Sequence, residues 1–149
     1  MGKVIAVCTS EVKGTQKKSV PQIELIEDWG IKNDAHAGKW HRQVSLLSYE
    51  KIEEFRAKGA EVEDGAFGEN IIVQGIDFAA LPVGTRFECN DVILELTQIG
   101  KECHSGCAIY KKMGVCIMPK QGVFTRVLHG GTIRPGDELT ILKQENENE

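Results

Sequence analysis

TRFECNDVILELTQI, residues 85–99, predicts two β-strands joined by a tight turn. Both arms are rich in β-branched, aromatic and other apolar residues, which favour strands. Between them, Asn90 and Asp91 form a dipeptide that is typical of hairpin turns. We therefore expect an antiparallel hairpin with its tip at residues 89–91.

The same kind of pattern recurs on both sides of this hairpin. Short strands are predicted at residues 3–9, 22–28, 43–48, 71–75 and 138–143. The best helix covers residues 49–59, with Ser48 as N-cap and Gly59 at its end, and shorter helices are predicted at 105–113 and 122–128. Strands outnumber helices without regular alternation, so the expected fold class is mainly β: a β-barrel-like domain with a few short helices.

The length and the net charge of the chain limit its domain number and its possible partners. A chain of 149 residues fits one domain, predicted at residues 1–143 and followed by an acidic, disordered tail at 144–149. No apolar run is long enough to cross a membrane, and the N-terminal residues do not resemble a secretory signal, so we expect a cytoplasmic protein without membrane partners. The net charge of −4 argues against a nucleic-acid partner.

The five cysteines predict reduced thiols, of which Cys103 is the candidate for reactivity. Cys103 follows a predicted strand and precedes a predicted helix N-terminus, and it is flanked by Lys101 and His104. Both the helix dipole and nearby positive charge lower a thiol pKa and increase the fraction of nucleophilic thiolate. The alternative is a buried structural cysteine, since free cysteine is among the most buried residue types.

A metal site is a competing interpretation of the same segment. Cys103, His104, Cys107 and Cys116 could supply four zinc ligands. Their spacing is a poor match to paired zinc knuckles, because two ligands are adjacent and there is only one cluster.

Basic side chains mark two further segments. The basic loop, residues 34–42, contains His36, Lys39, His41 and Arg42, which suit an anionic ligand, and Arg can hold a phosphate with two parallel hydrogen bonds. A second basic patch contains Lys13, Lys17 and Lys18. For both segments the alternative is a solvated polar surface. The stretch DGAFGEN, which ends at Asn70, is typical of a turn.

Four stretches in this order resemble a known family: DAHAGKWHRQVSLLS (34–48), GAFGENI (65–71), LELTQIGKECH (94–104) and GVFTRVLHGGTIRPGD (122–137). They resemble small stand-alone bacterial MOSC-domain proteins, a family named for the C-terminal domain of molybdenum cofactor sulfurase. The resemblance covers nearly the whole chain. It implies a β-barrel-like fold and binding of the molybdenum cofactor, a pterin dithiolene with an anionic phosphate.

The resemblance also implies site residues. The family's functional cysteine follows a glutamine at the end of a strand by five residues, which maps here from Gln98 to Cys103. Cys103 is then expected to meet the metal or sulfur. The residues expected to contact the cofactor or to shape its pocket are Lys13, His36, His41, Arg42, Asn70 and Lys101.

Three functions follow as hypotheses. The first is cofactor sulfuration, sulfur carriage or delivery through Cys103, with a cysteine desulfurase as sulfur donor and a molybdoenzyme as acceptor. No pyridoxal-phosphate site is expected, because the chain is too short for the desulfurase module of larger relatives. The second is a molybdenum-dependent reductase of N-hydroxylated compounds with an external electron donor. The third is a non-catalytic partner domain with a structural zinc.

Overall fold

The computed structural model describes residues 2–12, 16–100 and 121–142. These residues form eleven strands, one α-helix and one 3-10 turn at Phe78–Ala80. In chain order the elements are β1 (Gly2–Thr9), β2 (Lys18–Val20), β3 (Ile23–Ile26), β4 (Gly30–Ile31), β5 (Val44–Ser48), α1 (Tyr49–Ala57), β6 (Ile71–Gln74), β7 (Arg86–Cys89), β8 (Val92–Ile99), β9 (Val123–His129), β10 (Gly131–Ile133) and β11 (Glu138–Leu142).

Seven of the described strands close into a barrel, in the order β1, β11, β7, β8, β9, β5 and β6. The ring closes because β1 has a partner on each edge: β6 on one side, and β11 on the other through Gly2 and Leu139. β2 pairs with the C-terminal half of β1, and β10, β3 and β4 form a separate three-stranded sheet. The prediction of a mainly β, barrel-like fold is confirmed.

The predicted hairpin at residues 85–99 is confirmed as β7 and β8. Cys89 pairs with Val92, which leaves Asn90 and Asp91 as the turn. Asn90 has a φ of 56°, a left-handed conformation that asparagine tolerates better than most residues.

Two apolar cores lie on opposite faces of the barrel wall. On β5, Val44 and Leu46 point into the barrel, while Leu47 points outwards to α1 and contacts the layer formed by Ile52 and Phe55. β6 alternates in the same way. Strands buried on both faces show nearly continuous apolar sequence, which explains the runs VSLL and IIV.

Helix α1 begins where it was predicted, but Ser48 does not cap it with its side chain. Ser48 Oγ instead donates a hydrogen bond of 2.5 Å to the carbonyl oxygen of Ile76. The helix ends at Ala57, and Gly59 follows with a φ of 104°, the left-handed conformation that commonly terminates helices.

The helix predicted at residues 122–128 is wrong, because Val123–His129 form the strand β9. Val123 and Thr125 pair with both β8 and β5, so the segment occupies the centre of the sheet. The helix predicted at 105–113 and the tail at 144–149 lie outside the described residues. No described helix is both long and apolar enough to span a membrane.

Candidate functional site

The basic loop reaches the end of β8, where it meets Gln98. His41 Nε2 lies 2.8 Å from Gln98 Oε1, and Arg42 Nε donates to the same oxygen at 3.2 Å. Two of the predicted cofactor-binding side chains are therefore brought together on the strand residue that precedes Cys103 by five positions in the sequence.

A β-bulge in β8 lies directly before Gln98 and helps to form this contact. The pairing between β8 and β9 shifts register between Leu96 and Gln98, which leaves Thr97 without a place in the ladder. Thr97 Oγ1 is within hydrogen-bonding distance of the carbonyl oxygens of His41 and Phe124. Bulges redirect side chains and are frequent beside functional sites. Here the bulge fixes the backbone of the basic loop against β8.

Arg42 is held in one orientation by two contacts. Its guanidinium carbon lies 5.1 Å from the centre of the Phe124 ring, and its Nε is bound to Gln98. Among the described residues, its two terminal Nη groups have no hydrogen-bond partner. A guanidinium held by its Nε, with both Nη groups available, is well suited to bind a phosphate through two hydrogen bonds.

Trp40 connects the two histidines of the basic loop. Its ring is stacked on His36 at 6.5 Å between centroids and meets His41 edge-on at 6.1 Å. Trp40 Nε1 also donates to the carbonyl oxygen of His36 at 2.8 Å. The two histidines therefore flank the indole, and no three metal-ligating side chains cluster in the described ranges.

Lys17 does not fit the solvated surface that was the alternative for the second basic patch, whereas Lys18 is exposed. The Lys17 side chain is fully buried, and Nζ lies 2.7 Å from Asp34 Oδ1 and 3.3 Å from Ser10 Oγ. A lysine can be buried at modest cost only if a partner neutralises it, and Asp34 provides the opposite charge. Nothing near Lys17 in the sequence indicates this, because Asp34 lies in the other basic segment.

Asp34 joins both basic segments. Besides Lys17, its carboxylate accepts hydrogen bonds from the backbone N–H of Ser10 at 3.1 Å and of His36 at 3.2 Å. Ala35 N–H in turn donates to the carbonyl oxygen of Ser10. The connection that contains Lys13 thus starts and ends at residues bound to Asp34, although Lys13 itself lies outside the described residues.

Asn70 lies in the interior between strands. Its Oδ1 accepts from Ser45 N–H at 3.0 Å, and its Nδ2 donates to the carbonyl oxygen of Cys8 at 3.0 Å. The side chain is fully buried and links β1 to β5. Its contribution in the described structure is to hold two barrel strands together.

Glu69, which the sequence did not single out, is fully buried next to Asn70. Its carboxylate accepts from the N–H groups of Gly65 at 3.0 Å and Phe67 at 2.9 Å. Burial raises the pKa of Glu69 to about 7, and the two N–H donors oppose that rise. Glu69 therefore organises the turn before β6.

The two described cysteines lie in environments that disfavour the thiolate. Cys8 and Cys89 are buried free thiols, and burial raises the pKa of each to about 12. Thiols in such surroundings are inert structural residues. Cys103, Lys101, Cys107 and Cys116 lie outside the described residues. In the sequence they stand between Gly100 and Gly122, and Gly100 N–H donates to Gly122 O at 2.6 Å.

An open cavity of about 320 Å³ lies at the other end of β5, lined by Ser48, Glu50, Lys51, Glu54, Gly75, Ile76 and Asp77. The basic loop precedes β5, whereas Ser48 ends it, so this cavity is separate from the cluster around Gln98.

A protein-family model described as MOSC domain matches residues 33–140. The matched region includes the basic loop, Gln98 and Asn70. No curated protein matches the chain significantly.

The fold is similar to that of solved structures with low sequence identity. YuaD from Bacillus subtilis superposes with a TM-score of 0.76 at 19% identity, covering 93% of this chain and 94% of that one. YiiM from Geobacillus stearothermophilus gives a TM-score of 0.72 at 18% identity, covering 96% of this chain and 76% of that one. YiiM from Escherichia coli gives 0.70 at 17% identity, covering 97% and 71%.

Proposed function

Because the chain belongs to the MOSC-domain family, we propose that it binds the molybdenum cofactor and carries or delivers sulfur through Cys103. The family is associated with the molybdenum cofactor. The observation that carries the proposal is the meeting of His41 and Arg42 at Gln98, the glutamine of the motif that leads to Cys103.

The described residues fit an anionic cofactor at this point. The cofactor has a phosphate, and Arg42 offers two Nη groups to it while Phe124 and Gln98 hold the guanidinium in place. His41 is exposed beside it and is bound to the same Gln98 oxygen. We propose Lys13, His36 and Lys101 as additional contacts, and Asn70 as a residue that shapes the pocket by holding β1 to β5.

When bound, the cofactor supplies a metal held by two sulfur atoms, to which a further sulfur ligand can attach. In our proposal the chain contributes two separate functions. The basic side chains bind and orient the anionic end of the cofactor, and the Cys103 thiolate, a soft ligand, holds transferable sulfur or meets the metal. An external cysteine desulfurase supplies the sulfur, and a cytoplasmic molybdoenzyme receives it.

The test is to isolate the protein without oxygen from cells that make the cofactor, and then to assay bound molybdenum and cyanide-releasable sulfur. We expect both in the wild-type protein and loss of at least the releasable sulfur in Cys103→Ser. Cys107→Ser is the matched control, because it removes a thiol from the same segment, and it should retain the sulfur.

Other outcomes would replace the proposal. Unchanged molybdenum and sulfur in Cys103→Ser would exclude Cys103 as the functional thiol. Reduction of a hydroxylamine with an artificial electron donor, without releasable sulfur, would favour the reductase. Stoichiometric zinc that survives mild chelation and is lost in Cys103→Ser would favour a structural zinc site.

A further inference from the structure

We propose that Gln98 is a positioning residue that orients the Arg42 guanidinium for anion binding and fixes the tautomer of the neighbouring His41. The inference rests on the proposed function, since that function assigns Arg42, which lies beside His41, to the phosphate of the cofactor. It adds a side chain that holds this pair without touching the ligand, and the contacts of its carboxamide carry the argument.

The orientation of the Gln98 amide follows from its neighbours. Arg42 Nε–H is always a donor, so the Gln98 atom that faces it at 3.2 Å must be the oxygen. The amide nitrogen then faces the carbonyl oxygen of Gly100, to which it donates at 2.8 Å. In this orientation both the oxygen and the nitrogen of the amide have a suitable hydrogen-bond partner. In the flipped orientation the nitrogen would face the Arg42 donor, and the oxygen would face the Gly100 carbonyl oxygen.

The same oxygen determines the tautomer of His41. Because Gln98 Oε1 is an acceptor only, the His41 nitrogen at 2.8 Å from it must carry a hydrogen. Neutral His41 is thus held as the Nε2–H tautomer, which leaves Nδ1 as the acceptor. The bulge at Thr97 and the bond to Gly100 keep Gln98 in place while it does so.

The neutral charge of Gln98 is as important as its geometry. A carboxylate at this position would accept the same two hydrogen bonds but would neutralise the positive charge needed to attract a phosphate. An amide orients the Arg42 guanidinium and leaves its charge for the ligand. Gln98→Glu and Gln98→Met therefore test different parts of the inference: the first adds charge and keeps the acceptor, and the second removes the acceptor without adding charge.

The experiment measures two quantities on the full-length protein. Inorganic phosphate serves as the probe, and its Kd is determined by NMR titration for the wild type, Gln98→Met, Gln98→Glu and Arg42→Gln. Long-range ¹H–¹⁵N spectra report the His41 tautomer without any ligand. Gln74→Met is the matched control, because Gln74 is an exposed glutamine at the end of another barrel strand.

We expect the wild type to bind phosphate, and Arg42→Gln and Gln98→Glu to weaken binding roughly tenfold or more. Gln98→Met should weaken binding less, by about threefold to tenfold, and should convert His41 from the Nε2–H tautomer to a mixture. Gln74→Met should change neither quantity. Thermal unfolding confirms that each variant is folded, and Gln98→Glu retains the acceptor if Gln98→Met does not fold.

Two failures can be told apart. If His41 keeps its tautomer and phosphate its Kd in both Gln98 variants, while Arg42→Gln weakens binding, Gln98 has no positioning role. If the wild type does not bind phosphate, or Arg42→Gln changes nothing, the basic pair is not the anion site and the proposed function fails there. In that second case the tautomer shift in Gln98→Met still tests the contact between Gln98 and His41.

Discussion

Buried charged groups close to the candidate site are stabilised by two different kinds of partner. Lys17 and Asp34 neutralise each other at 2.7 Å in the interior. Glu69 accepts two backbone N–H groups instead. Removing either member of the Lys17–Asp34 pair would leave an uncompensated buried charge, which typically destabilises a protein by about 3–5 kcal/mol. Glu69 can respond to burial by taking up a proton.

Glu69 gives the stability a defined pH dependence. Its folded pKa of about 7 lies above the ordinary value of 4.5, so between these values the folded state keeps a proton that the unfolded chain has released. This contribution to stability is fully present below the unfolded pKa and is lost as the pH rises through the folded pKa. Glu69→Gln cannot titrate, so the wild-type advantage over this variant should shrink from about pH 5 to about pH 8.

Urea unfolding at several pH values measures that difference. Glu88→Gln is the control, because Glu88 is exposed on β7 and its replacement should give a nearly constant difference from the wild type. A wild-type advantage over Glu69→Gln that stays constant from about pH 5 to about pH 8 would contradict the raised pKa, because it would show that Glu69 is ionised throughout this range.

Residue types in the sequence identified His41 and Arg42, because basic side chains in a glycine-containing loop suit an anion wherever the loop lies. They could not identify Lys17 as buried or Gln98 as the contact point. Lys17 depends on a carboxylate 17 residues away and Gln98 on a loop 56 residues away. Both facts are set by strand pairing, which no local pattern of residues reveals.

At the level of single elements, β9 shows where sequence patterns are ambiguous. A short apolar run such as GVFTRVL can be a strand or one face of a helix, and periodicity alone does not separate the two. The β-branched residues Val123 and Thr125 and the aromatic Phe124 favour a strand, and pairing with β8 and β5 decides it. The hairpin of β7 and β8 was predictable because the dipeptide in its turn, Asn90-Asp91, is itself typical of hairpins.

The turn before β6 gives a paired test of backbone strain. Gly65 has a φ of 93°, and a Cβ on it would lie 2.2 Å from the carbonyl oxygen of Lys17. Gly68 has a φ of 84°, with nothing within 4 Å of its Cβ position. Gly68→Ala should therefore cost about 1–2 kcal/mol from conformation alone. Gly65→Ala should cost about 1–3 kcal/mol more, because the turn must move away from Lys17.

Chemical unfolding of both alanine variants measures these costs. The comparison controls for the loss of glycine in a left-handed conformation, since both positions share it. Equal destabilisation by the two substitutions would contradict the close approach of Gly65 to Lys17.

At the level of the whole molecule, the barrel depends on contacts between distant parts of the chain. Gly2 pairs with Leu139, so closure joins the first and last described strands. The mainly β character and seven of the eleven described strands were predictable from residue patterns. The order of the strands around the barrel was not predictable, because an apolar strand does not specify its partner. Barrels of this kind have few open edges and fold through long-range pairing.

Closure of the barrel predicts which thiols are protected from chemical labelling. Cys8 and Cys89 are fully buried in the barrel wall, with pKa values raised to about 12 by burial. In the native protein they should not react with an aromatic disulfide reagent, and their labelling rate should follow global unfolding. Mass spectrometry of the labelled peptides identifies the sites. Rapid native labelling of either residue would mean that the barrel opens locally at β1 or β7.

The hydrogen bond from Gly100 N–H to Gly122 O joins the described residues on either side of residues 101–120. The barrel therefore holds both ends of this connection close to one another. Loop-closure entropy depends only weakly on length, and a doubling costs roughly 0.6 kcal/mol. Lengthening the connection between Gly100 and Gly122 is therefore expected to add little to the entropic cost of closing the barrel.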